Sequence, residues 1–263
     1  MDSRGLKDPM KIYTLRRICV ICPKCEVVFA TTQVARKPNV SIESKVEADL
    51  HRVLPDGVIR ASNLATCPEC IYTWWLSSFA QSFVLPQMAP DAPPVENSKK
   101  FGHAVLTGRK ENAHALDTAM VALNGYWCAR EDHQNADKWL ELVVKELEKA
   151  LADESWFGNR SRYNYIMGEM YRLKGDFHSA VRLFNQVDRR SVLPKELVDH
   201  QIHQAKIGNS KPVLLPPHII RAVFKIKEPA PAAAQASGSN MNQAFEQVSN
   251  NTVVNFETPT VIA

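Results

Sequence analysis

The chain has 263 residues, is 45% hydrophobic and 23% charged, and carries a formal net charge of +4. That length holds two small domains and a tail, and the composition excludes gross disorder for most of it. So small an excess of positive charge does not by itself argue for a nucleic-acid partner. Met1 to Lys11 is polar and charged, with no apolar run ahead of a small-residue cleavage site. No stretch reaches the roughly 18–20 apolar residues of a membrane span. The expectation is a cytoplasmic protein with reduced thiols.

From Ile12 to Phe29 β-branched and aromatic residues predict strands around a first knuckle, Cys22-Pro23-Lys24-Cys25. A second, Cys67-Pro68-Glu69-Cys70, follows. Each places two thiols at the ends of a tight turn, and together they supply four sulfurs for one tetrahedral Zn²⁺. Cys22, Cys25, Cys67 and Cys70 are therefore the predicted ligands of a structural Zn²⁺. Residues 12–88 are predicted to form a small β-rich, zinc-ribbon-like module with a long insertion. Cys19, three residues before Cys22, competes as a ligand or as part of an iron–sulfur site; it reads better as a buried strand thiol. Ser41 to Arg60 is a polar insertion with a turn at Pro55-Asp56-Gly57. Within it His51 is an alternative ligand, but with four knuckle cysteines it reads as a surface or hydrogen-bonded histidine.

After the second knuckle come Ile71-Tyr72-Thr73-Trp74-Trp75-Leu76 and then Phe79, Phe83 and Leu85. The choice is between an exposed docking or membrane-interface patch and an internal seam against the following helices, and the seam is preferred. Met88 to Ser98, with three prolines, reads as a linker or bend. Helical periodicity then runs over residues 99–208. His103–Ala129 predicts one helix or two, with Leu106, Leu116, Met120, Leu123 and Trp127 as core. Gln134–Asp153 predicts a helix burying Trp139, Leu140, Val143, Val144, Leu147 and Leu151. Arg160–Lys174 and Asp176–Val187 predict a helical hairpin, and Lys195–Ile207 a fifth helix. Residues 209–227 form a basic extension. Residues 228–263 are low-complexity text read as a disordered tail, ending in the β-prone stretch Thr252–Ala263. The fold class is α+β: the β-rich module, then an all-α domain, then the tail.

In the Arg160–Val187 hairpin, Gly168, Tyr171, Gly175, Phe177, Ala180 and Phe184 fall at intervals that resemble a tetratricopeptide repeat. Asn164 departs from its early Trp position, and the closing proline falls late, at Pro194. The resemblance implies that the first helix of the repeat lines a concave groove, turning Arg162, Tyr165, Glu169 and Arg172 toward a bound protein partner. With the two knuckles, the Glu47-Ala48-Asp49-Leu50 region and this repeat, residues 15–207 resemble an uncharacterised bacterial family of unknown function. That family joins a CPxC…CPxC module to tetratricopeptide-like helices. Such knuckles usually carry Gly after the second cysteine; Glu26 and Ile71 stand there instead, which argues against tight knuckle geometry without touching ligand identity.

No constellation for catalysis is present. There is no Gly-rich phosphate loop, H-E-x-x-H helix or G-x-S-x-G elbow. His200 and His203 share a helix face with no third ligand in view, Cys128 reads as core, and a redox use of the CPxC pairs lacks a thioredoxin-like context. The expectation is a non-enzymatic zinc-binding protein whose helices bind a protein partner. The alternative is a nucleic-acid-associated zinc ribbon. Residues 91–159 are net acidic while residues 160–227 carry a net charge of +8, so phosphate contacts would come from Arg160, Arg162, Arg172, Arg182, Arg189 and Arg190.

Overall fold

The computed structural model describes residues 13–35, 44–54, 57–153, 160–188 and 193–224. Ile12, Pro55, Asp56, Arg189, Arg190 and the tail beyond 224 lie outside the described residues, and so do the expectations that fall on them. The fold is α+β: a small β region followed by helices. Strands β1 (Leu15–Ile21) and β2 (Val28–Val34) form an antiparallel hairpin over the first knuckle, with Leu15 opposite Val34 and Ile21 opposite Val28. A short helix α1 (Val58–Ala61) leads to a second hairpin, β3 (Leu64–Thr66) and β4 (Thr73–Trp75), over the second knuckle. Strand β5 (Ala80–Ser82) returns to β1, giving a three-stranded sheet in the order β2-β1-β5.

Residues 88–98 are not a free linker. The chain crosses the sheet after β5 and bonds to the outer edge of β2, where Ala30 donates to the Pro90 carbonyl and Ala92 donates to the Ala30 carbonyl. Helices α2 (Asn97–Lys110), α3 (Ala115–Glu131), α4 (Asp137–Ala152), α5 (Arg160–Lys174), α6 (Phe177–Asn185) and α7 (Lys195–Lys206) then pack serially. The ambiguous His103–Ala129 stretch is two helices, because Asn112 turns into the left-handed region and the His114 side chain caps α3 by accepting from Leu116 N–H at 3.2 Å. In the α5–α6 hairpin a Cβ on Gly168 would lie 2.7 Å from the Phe184 ring, so only glycine lets the two helices approach this closely. The last described helix, α8 (Pro217–Phe224), buries Ile219, Ile220 and Phe224 against the bundle.

Two hydrophobic clusters cut the chain differently from the predicted boundaries. The small one, with Val20, Phe29, Ala65, Leu76 and Phe79, belongs to the knuckle module. The large one joins the helices to Val46, Ala48, Leu50, Ala61 and Leu64 from the insertion, and to Leu215 from the extension. The insertion is thus built into the helical core, and the boundary near residue 88 is crossed by it.

The aromatic seam is found in part. Trp74 packs against both clusters and Trp75 against the helical one. Trp74 also fills the space a Cβ would take on Gly108 of α2. Phe83 and Leu85 lie outside the seam and are exposed. Leu106, expected in the core, is exposed as well, because α2 turns that position toward the open side between α2 and α4, beside Trp139 and Leu142. Cys19 and Cys128 are buried core thiols, as their positions suggest.

Candidate metal centre

Both knuckles fold alike. Cys22 N–H donates to the Val27 carbonyl and Glu26 N–H to the Cys22 carbonyl, each at 3.0 Å. In the second turn Cys67 N–H donates to the Tyr72 carbonyl at 3.0 Å and Ile71 N–H to the Cys67 carbonyl at 3.1 Å. Glu26 and Ile71, standing where glycine is usual, both adopt left-handed backbone, with φ of 60° and 58°. The tight turn therefore forms without glycine, correcting the expectation that these residues would disturb it. The cost is local strain, which is greatest for a β-branched side chain.

The hairpins face each other so that the Cys22 and Cys70 sulfurs lie 3.6 Å apart and those of Cys25 and Cys67 3.5 Å. All four sulfurs lie within 4.8 Å of one another. Disulfides are far shorter, about 2.05 Å, and all four cysteines are free thiols. A tetrahedral ion with sulfurs at about 2.3 Å would space them by about 3.8 Å, so the donor set fits one such ion with little rearrangement.

The inner pair, Cys22 and Cys67, is fully buried, and Cys25 and Cys70 are exposed. Burial pushes the Cys67 thiol up to about 12 and the Cys70 thiol upward, while the Val27 N–H beside Cys25 holds that thiol below its ordinary value. Without a cation the site does not hold four thiolates at neutral pH, so a metal that binds here displaces protons. Around the rim, Lys24 pairs with Glu111 of α2 and lies over the Tyr72 ring, tying the first knuckle to the helices.

His51 is not at this centre. It stands with Glu47 and Asp49 in a second polar cluster, inside the groove that was expected to receive a partner. Residues 44–53 form a tight hairpin, with Val46 bridged to Arg52 and Leu50 in left-handed backbone. It lies across α3 and α5. Arg130 donates to both Glu47 oxygens at 2.6 and 2.7 Å, and Trp127 Nε1–H donates to Asp49 at 2.9 Å. The Tyr165 hydroxyl donates to the Ala48 carbonyl at 2.6 Å. His51 stacks on Trp127 with ring centroids 5.4 Å apart and an interplanar angle of 6°. Its Nδ1 meets Glu47 at 2.8 Å and its Nε2 meets Glu131 at 2.9 Å. Glu131 is held on its other side by Arg60, at 2.7 Å.

With a carboxylate at each ring nitrogen, the imidazole bonds both ways only when doubly protonated. Burial alone would push its pKa down; the Glu131 and Glu47 carboxylates outweigh that and hold it above the ordinary value. Burial also works to raise Glu47, but the protons of His51 and Arg130 bring it down to about 2. Three carboxylates, Glu47, Asp49 and Glu131, face two guanidiniums, Arg60 and Arg130, so the cluster reaches neutrality through the His51 cation.

This hairpin overturns the groove expectation. Tyr165, Glu169 and Arg172 are completely buried. Arg172 donates to both Glu169 oxygens at 3.0 and 2.9 Å and to the carbonyls of Asn209 and Lys211. Burial pushes the Glu169 carboxyl up to about 7 even with this guanidinium beside it. The extension completes the filling: Ala48 N–H donates to the Val213 carbonyl, and Leu215 N–H to the Val46 carbonyl. Only Arg162, of the four predicted contacts, keeps partial exposure. The basic surface imagined for nucleic acid is likewise broken up, since Arg172 is internal and Arg160 bonds to the carbonyls at the end of α4.

Of the six charged residues that lock the hairpin, sequence reasoning singled out His51, as a surface or hydrogen-bonded histidine; it is hydrogen-bonded and buried, and the network around it was missed. Glu47, Asp49 and His51 alternate, a weak strand signal. Arg60, Arg130 and Glu131 carry no spacing that points to them. No family model, curated protein or solved structure matches the chain, so the bacterial-family resemblance is carried by the motifs quoted for it alone.

Proposed function

We propose that this chain is a non-catalytic zinc-binding protein, in which a structural Zn²⁺ on Cys22, Cys25, Cys67 and Cys70 fixes the β module and the helices act as a protein-interaction scaffold. The observation that carries this reading is the convergence of four sulfurs, and no other donor among the described residues, at tetrahedral spacing. An ion so enclosed has no open position for water or substrate, so its role is to hold the fold. Free thiols held by metal suit a reducing compartment, the cytoplasm being the simplest. No helix among the described residues is long and apolar enough to cross a membrane.

Because the concave side is filled, the partner surface is the outer one, where Leu106, Trp139 and Leu142 border a shallow groove between α2 and α4. Metal analysis of the full chain, with Cys67→Ser as control, tests the first half: about one Zn²⁺ per chain is expected, and Co²⁺ substitution should give tetrahedral thiolate bands. A metal-free folded protein, or an ion carrying exchangeable water, overturns it. Crosslinking of captured partners tests the second half, with links expected on residues 97–206; links confined to other regions would move the scaffold role elsewhere.

A further inference from the structure

Helices α2 and α4 both pack on α3 and leave an open channel between them. Its floor is apolar: Val105 and Leu106 of α2 with Trp139 and Leu142 of α4 line a cleft of about 390 Å³. Trp139 settles into it because Gly125 of α3 has no side chain; a Cβ there would run into the indole. Leu106 still keeps 61% of its surface exposed, and no described segment covers it.

The charge around this floor is one-sided, although residues 91–159 as a whole are net acidic. On α2, Lys99 and Arg109 line the cleft, and Lys110 follows Leu106 by one turn. On α4, Lys138 stands four residues before Leu142 and Lys145 three after it, so both share its side of the helix. The acids nearby are already taken up. Glu96 pairs with Lys99, while Glu146, nearly buried, is held by Arg109 and Lys149. Glu148 faces α5, where the Tyr171 hydroxyl donates to it. Lys110, Lys138 and Lys145 are exposed and find no ion-pair partner among the described residues.

We infer that the α2–α4 channel takes an acidic amphipathic helix of a partner protein. Its apolar side chains lie on Leu106, Trp139 and Leu142, and its carboxylates meet the lysines on both lips. The inference rests on the scaffold reading and gives that partner a chemistry. Floor and lips select the occupant together. A nucleic acid would use the lysines but leave Leu106 and Leu142 wet, and the indole is seated against α3 rather than free to stack on bases. A bilayer surface cannot enter a concave channel between two helices. A basic helix would cover the floor with like charges opposed along both lips. A helix with apolar residues on one face and carboxylates beside them satisfies both at once.

Selection of a displayed library of four-turn helical peptides against the full zinc-loaded chain tests the inference. The expected winners carry apolar residues at i, i+3, i+4 and i+7 flanked by Asp or Glu. They should bind more weakly as salt rises and shift the amide resonances of α2 and α4. Leu106→Asp should weaken the selected peptides at least about tenfold, and Lys138→Glu/Lys145→Glu by a similar factor. All three side chains are exposed, so zinc stoichiometry and circular dichroism should stay unchanged. Winners without acidic flanks, binding indifferent to either variant, or a library with no binder on these helices overturns the inference. Binding of a single-stranded oligonucleotide to the same lysines, unaffected by Leu106→Asp and in place of the peptides, overturns it in favour of nucleic acid. Cellular partners crosslinked to another helical face, with no peptide in the channel, sink this assignment and leave the scaffold reading standing. Acidic peptides in the channel, with no cellular crosslink on residues 97–206, do the reverse.

Discussion

Two centres hold the two halves of this molecule together, and they are built from opposite materials. The knuckle centre gathers four sulfurs from two turns of nearly identical geometry, contributed by residues three apart in each turn. The groove centre gathers Glu47, Asp49, His51, Arg60, Arg130 and Glu131 from three separate segments. Each fastens a segment that also adds apolar residues to a core: Val20, Phe29 and Phe79 around the knuckles, and Val46, Ala48 and Leu50 in the hairpin. In the first, a single cation would satisfy four donors at once, so its loss would dissolve the whole arrangement. In the second, the carboxylates Glu47 and Glu131 are each shared between His51 and an arginine, so each deletion leaves named partners short of a contact.

The largest expected effect therefore falls on the knuckles. Stripping the metal, or Cys67→Ser, removes a contribution on the scale of about 10 kcal/mol seen in small zinc peptides. Hydrogen exchange should show residues 15–34 and 64–82 losing protection while α3 to α7, with their own core, retain it. Equal loss in both regions would mean that the small cluster and the helical core fold as one unit, and would erase the contrast between the centres.

Next comes the groove. Arg130→Ala leaves the Glu47 carboxylate half-enclosed without its bidentate partner, and breaking such a pair costs about 3–5 kcal/mol. Urea denaturation of Arg130→Ala, Glu47→Gln and the double variant gives the coupling directly. The double variant should recover a good part of the single-variant loss, because no charge is left stranded. Additive losses would show that the hairpin is held by Val46, Ala48 and Leu50 alone.

The contrast in materials explains what could be read in advance. Cysteine pairs announce themselves, because the chemistry that binds metal also fixes local spacing; the hairpin of α5 and α6 was legible for the same reason, since Gly168 and Phe184 meet within one short unit. Tyr165, Glu169 and Arg172 do share one face of α5, but that face is buried in the fold rather than turned toward a partner. What covers it was not legible. The segments that occupy it, 46–51 and 209–215, are more than a hundred residues apart, and nothing in a one-dimensional pattern says that a polar insertion will be drawn into a groove by residues 80 positions away. Leu106 shows the converse: its helical spacing matched the core face, but the neighbour that would have covered it is missing among the described residues.

A smaller effect separates the centres by pH. The His51 imidazole is held above its ordinary value in the fold, so its contribution is complete below the unfolded imidazole value of about 6.5 and is lost as pH climbs through the raised folded value. Glu47 acts with the opposite sign: its contribution is complete above the ordinary carboxylate range and is lost only as pH falls toward about 2. Stability should thus decline on the alkaline side through His51, and His51→Ala should flatten that limb; every tenfold gain in proton affinity that the fold gives the imidazole corresponds to about 1.4 kcal/mol. Nitrogen-15 spectra of the imidazole at neutral pH should show both ring nitrogens protonated. A single neutral tautomer would move the missing proton to Glu47 or Glu131.

The smallest effect concerns strain in the knuckles. Ile71 holds a φ of 58°, a conformation that costs a non-glycine residue about 1–2 kcal/mol and a β-branched one more than most. The residue is 47% exposed, so removing its side chain forfeits little burial. Against the relief stands the larger freedom glycine has in the unfolded chain, worth about 0.5–1 kcal/mol. The balance favours Ile71→Gly by a few tenths to about 1 kcal/mol, read as tighter Zn²⁺ retention in competition with a chelator. Glu26→Gly relieves the matching turn at φ 60°, but its unbranched side chain makes the gain smaller. If Ile71→Gly instead loosens the metal, the exposed isoleucine is contributing contacts to the neighbouring turn that outweigh its backbone strain, and the two knuckles are less alike than their hydrogen bonds suggest.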